Sequence, residues 1–112
     1  MQKVNHDYFN DGVLYYGALK TVRDDNRKRS EDIFAVQGKL FYQEMSVREQ
    51  DYMLVNAIGG NLTLKIKTPY RKEAQVYQKV KIGTDIYDVI TIDPDRNVRL
   101  FWYLEKSGDD NE

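Results

Sequence analysis

The strictest alternation in the chain is LTLKIK, residues 62–67, which sets Leu62, Leu64 and Ile66 on one face and Thr63, Lys65 and Lys67 on the other. A period of two predicts a strand with one face buried, and Pro69 predicts its end. Aromatic and branched residues mark further strands at VLYYGALKTVR (13–23), IFAVQGKLFYQ (33–43), KVKI (79–82), IYDVITI (86–92) and VRLFWYLE (98–105). In the second of these Phe34, Val36, Leu40 and Tyr42 are expected on one face, Gln37 and Lys39 on the other, with Gly38 as a bulge or bend. In the last, Val98, Leu100, Trp102 and Leu104 share a face. The opposite face carries Arg99, Phe101, Tyr103 and Glu105, so two aromatics stand among charges.

One stretch breaks the period of two. In SVREQDYMLVNAIGG (46–60), Ser46 and Glu49 fit a reciprocal helix-start box. Val47, Leu54 and Ile58 fall on one stripe at 100° per residue, flanked by Val55 and Ala57. Gly59 or Gly60 can end the helix in the left-handed conformation, which leaves the other glycine free as a joint. The hydrophilic DDNRKRS (24–30) and the glycine and proline segments GTD (83–85) and DPDRN (93–97) predict turns, and YRKEAQVYQ (70–78) a loop. The expected fold is mainly β: a small antiparallel barrel or sandwich of five to six strands, with one short α-helix between the second and third. Residues 1–108 then form one domain, and residues 109–112, from the acidic end SGDDNE, a disordered tail.

Composition narrows the chemistry. The 112 residues contain no cysteine and a single histidine, His6, so disulfides and thiolate or imidazole metal centres are not expected. The N-terminus MQKVNHDYFNDG lacks the apolar run of a signal peptide and no stretch is long enough to span a membrane, so the sequon Asn61, Leu62, Thr63 reads as accidental. Charged residues make up 31% of the chain yet cancel to a net −1, which leaves no global field for nucleic acid or an anionic membrane. Nine tyrosines are the unusual feature of the composition, a residue that suits sheets and protein interfaces. Dispersed as they are, they predict no large continuous apolar patch.

Catalytic constellations are not evident. The glycines match neither a dinucleotide fingerprint nor a phosphate loop, Asp93 and Asp95 lack the glycine and distal glutamate of a calcium loop, and Glu44, Glu49 and Asp51 read as helix-start carboxylates. No enzyme, cofactor, metal or small-molecule substrate is expected. Lys65, Lys67, Lys79 and Lys81, with Arg71 and Lys72, could line a basic stripe on an OB-like nucleic-acid-binding barrel, or simply protect sheet edges.

The order of elements in FYQEMSVREQDYMLVNAIGGNLTLKIKTPY (41–70) resembles the head-closure, or stopper, family of phage head-tail joining proteins. Members commonly show a strand, a Ser-x-x-Glu helix with a tyrosine and small residues, and an alternating strand ending near Thr-x-Tyr or Tyr-Arg. VKIGTDIYDVITIDPDRNVRLFWYLEKSG (80–108) is similar to the family's closing strands, whereas the N-terminal part departs from its short opening strand. The resemblance implies a homo-oligomeric ring in the virion neck, assembled in the bacterial cytoplasm, beneath portal and adaptor. It would close the DNA-filled head and receive tail proteins, with double-stranded DNA in its channel. On this reading Glu44, Ser46, Glu49, Gly59, Gly60 and Asn61 border the channel as a gate. Phe101, Tyr103 and Tyr70 serve assembly, and Lys65, Lys67, Arg71 and Lys72 face DNA. The alternatives are a neck or tail-completion protein of another connector layer and the OB-like module.

Overall fold

In a computed structural model, which describes residues 8–24, 29–74 and 78–109, the order is β1 (Gly12–Asp24), β2 (Arg29–Met45), α1 (Glu49–Ile58), β3 (Leu64–Pro69), β4 (Lys79–Ile82), β5 (Asp85–Asp95) and β6 (Arg99–Asp109). The six strands are antiparallel throughout and close into a barrel in the order β1-β2-β3-β6-β5-β4. The mainly β fold with a helix between β2 and β3 agrees with the sequence pattern, and closure decides for a barrel over a sandwich. Asp109, assigned to the tail by the sequence, instead pairs with Asp85 in β6; residues 110–112 lie outside the described residues, as do His6 and residues 25–28 of the first turn.

Alternation on β6 sends Leu100, Trp102 and Leu104 into the barrel, where they meet Leu14, Tyr16, Leu40, Ile66, Val80 and Val89. Trp102 is fully buried between its cross-strand neighbours Ile66 and Ile92, and its indole N–H donates to Thr68 Oγ1 at 2.8 Å. Burying a ring of this size stabilises the fold strongly, provided the N–H finds such an acceptor.

A bulge changes β2. Tyr16 faces Gly38 while Gly17 faces Val36, which leaves Gln37 as the extra residue. The Tyr16 ring lies across Gly38 so closely that a Cβ there would stand 2.4 Å from its hydroxyl. The shared face predicted for Phe34, Val36, Leu40 and Tyr42 is therefore split. Leu40 and Tyr42 point inward, and Val36 and Phe34, opposite Gly17 and Leu19, lie on the outer face. Two more bulges bend β5 against β6, one of which leaves Ile90 unpaired between Val89 and Thr91 and turns it outward.

Only residues 15–17 of β1 pair with β4, and only residues 43–45 of β2 pair with β3. Beyond these the β1–β2 hairpin pairs with itself alone and extends from the barrel as a two-stranded arm. The described residues span 67 × 27 × 22 Å. Their radius of gyration is 15.8 Å, against about 13 Å for a compact chain of 100 residues.

Candidate functional site

α1 lies on the outside of the barrel. Its start differs from the sequence expectation: Arg48, not Ser46, is the N-cap, and Asp51, not Glu49, reaches back to accept the Arg48 backbone N–H at 2.9 Å. Asp51 can do so because it sits on the inward side of the first turn, whereas Glu49 points to solvent. The end is a Schellman turn in which the Gly60 N–H bonds the Val55 carbonyl and the Gly59 N–H bonds that of Asn56, each at 3.0 Å. Gly59 supplies the left-handed φ of 100°. Gly60 fits for a different reason, since a Cβ there would stand 3.1 Å from Ile90 and 3.2 Å from Val55, and those side chains would have to give way by a few tenths of an ångström. Each glycine thus has a local cause, and the pair no longer argues for a joint in residues 44–61. The other four residues expected to border the channel are exposed: Glu44 and Asn61, which give their backbone N–H groups to Asp11 and Glu105, and Ser46 and Glu49.

The stripe expected on α1 is also corrected. Val55 and Asp51, one turn apart, are the buried pair, and Leu54 and Ile58 face solvent with Tyr52 and Met53. Val55 packs on Tyr103, Leu62 and Ile90 in a small cluster outside the barrel. Asp51 meets Lys65 of β3 at 3.1 Å, both side chains almost wholly enclosed. The Lys65 ammonium also lies 5.5 Å from the ring centres of Phe101 and Tyr103. Burial alone would raise the Asp51 carboxyl, but the Arg48 N–H bond, the Lys65 hydrogen bond and the Lys65 and Arg48 charges together hold it below the ordinary carboxylate range. Burial pushes the Tyr103 phenol up, and the nearby Asp51 and Asp93 charges add to the rise.

This geometry relocates several residues predicted to act at the surface. Lys65 and Lys67 do leave the barrel interior, as alternation requires, but both are buried, so neither faces DNA. Lys79 is paired with Asp88, and Arg71 donates to the Tyr16 hydroxyl at 3.2 Å; Lys72 is exposed. The six cations therefore do not form one open basic stripe. Of the three aromatics expected at an assembly interface, Tyr103 is covered by α1 and Tyr70 packs against the barrel core. Phe101 lines a cleft of about 360 Å³ beside the helix start, with Met45, Ser46, Arg48, Lys65, Asp93 and Tyr103. Among the described residues no group of three or more His, Asp or Glu comes together, and no helix is long and apolar enough to cross a membrane.

Exposed apolar side chains gather where the sequence predicted none. The register sets Val13 beside Phe41, Tyr15 beside Lys39, Gly17 beside Val36 and Leu19 beside Phe34, all on the outer face of the β1–β2 hairpin. Tyr15, Leu19, Val36 and Phe41 are each exposed, the last two at 57%. An apolar stripe interrupted only by Lys39 results, and the bulge that turned Val36 and Phe34 outward completes it. The sequence signal for this was Gly38, whose consequence for residues further along the strand is not written in the local pattern.

No family model and no curated protein matches the chain. Its fold is similar to the solution structure of protein SF1141 from Shigella flexneri 2a, with a TM-score of 0.63 at 18% identity over 88% of this chain and 93% of that one. Similarity at that identity defines the class of fold.

Proposed function

We propose that the protein is a structural component of a phage neck, a ring subunit below portal and adaptor that closes the DNA-filled head and gives the tail its attachment surface. The observation that carries this reading is the apolar surface left outside a small closed barrel, on the β1–β2 stripe and on the outer side of α1. Surfaces of that kind mark protein contacts. The order of elements that resembles head-closure proteins supplies the place of the contacts. The buried state of Lys65 and Lys67 weighs against the OB-like reading, because neither ammonium is open to a nucleic-acid backbone. Deleting the gene from the phage that carries it tests the proposal. Expected are packaged heads that lose their DNA and accumulate beside free tails, with joining restored by supplying the protein; infectious particles at normal yield would overturn it.

A further inference from the structure

The two apolar surfaces lie on different elements and on opposite sides of the molecule. In the closed strand order β6, which α1 covers, stands across the barrel from β1, which carries the stripe. A two-fold dimer brings one patch against its own copy, whereas two unlike patches facing opposite ways join head to tail, into a ring if the rotation closes and a filament if it does not. We propose that the β1–β2 stripe of one copy docks on the exposed face of α1 of a second copy, and that this contact repeats around the ring; the inference deepens the neck-ring reading and rests on it.

Size and charge agree. From Val13 to Leu19 the stripe runs about 20 Å at roughly 3.3 Å per strand residue, and α1, with 10 residues, is about 15 Å long. Val36 and Phe41 offer flat β-branched and aromatic surface to Met53, Leu54 and Ile58, which stand clear of the helix's own barrel. Lys39 is exposed in the middle of the stripe, paired across the ribbon with Tyr15. α1 has the exposed Glu49 in its first turn and no basic residue in its last, so it carries no cation that would repel the Lys39 of a neighbour and one carboxylate that would attract it.

Sedimentation velocity on the full chain tests the contact with two surface variants, Val36→Asp and Leu54→Asp, each checked for the native β spectrum by circular dichroism. The wild type is expected to form species larger than dimers as concentration rises, and each variant alone to associate at least about tenfold more weakly. Mixed in equal amounts, the variants should form a one-to-one dimer and stop there, since each retains the one surface the other lacks. The chain has no cysteine, which allows a second measurement. A Val36→Cys, Met53→Cys double variant should oxidise to a ladder of multimers, and Val36→Cys alone should not link to itself. A wild type that stays monomeric to its solubility limit, Val36→Cys homodimers, or variants that associate as the wild type does would each overturn the contact. Head-to-tail assembly by a protein absent from purified virions would instead overturn the neck reading and leave the contact standing.

Discussion

Lys65 shows how a residue's neighbours reverse its expected role. Alternation places it outside the barrel, yet α1 brings Asp51 over it, and an ammonium without that carboxylate would be buried uncompensated. Lys65→Met leaves the enclosed Asp51 carboxylate without its buried partner, held only by the Arg48 N–H and the exposed Arg48 guanidinium 3.8 Å away, at a cost of about 3 kcal/mol in urea unfolding. Adding Asp51→Leu should recover most of it, less about 1 kcal/mol for the lost hydrogen bond at the helix start. The same pair sets a pH dependence. Because the folded Asp51 carboxyl titrates below its unfolded value, its contribution is complete at neutral pH and is lost as pH falls through the folded value. Acid should therefore destabilise the wild type more steeply than Asp51→Asn, and equal slopes would show that the pair does not act. Arg96 is a simpler case. With Asn97 it forms the β5–β6 turn at φ 56° and 57°, a left-handed region unfavourable to a side chain. Arg96→Gly should raise stability by about 1 kcal/mol.

Among the elements, legibility followed the reach of the physical cause. β3, β6 and the position of α1 were readable because alternation, a helical period and glycines act within a few residues, and Trp102 fell in the core as alternation on β6 requires. The inward face of α1 was not readable. Val55 and Asp51 turn inward because Tyr103, Ile90 and Lys65 wait there from three other strands, and a periodic count cannot price a buried carboxylate. The outer stripe was hidden by one inserted residue, Gln37, which reverses every position beyond it. The two glycines after α1 separate into two jobs, and substitution should separate them too. Gly59→Ala is opposed by backbone conformation and should cost about 1–2 kcal/mol. Gly60→Ala meets Ile90 and Val55, so it should gain tolerance when combined with Ile90→Val, a rescue that Gly59→Ala should not show in the same denaturation assay.

For the whole molecule the decisive feature is the contrast between a closed core and an open exterior. The barrel buries its tryptophan and aliphatic side chains as a small stable domain does, while the arm and α1 hold apolar side chains in water. A near-neutral chain with such an exterior is suited to neighbours on both sides, as a ring in a virion neck provides. The proposed neck role is tested most directly by a cryo-electron microscopy reconstruction of the necks of tailed virions purified from the gene's source. A ring of these barrels between the portal–adaptor complex and the tail, surrounding the DNA channel, is expected; a fully assigned neck containing no copy of this chain would contradict the proposal.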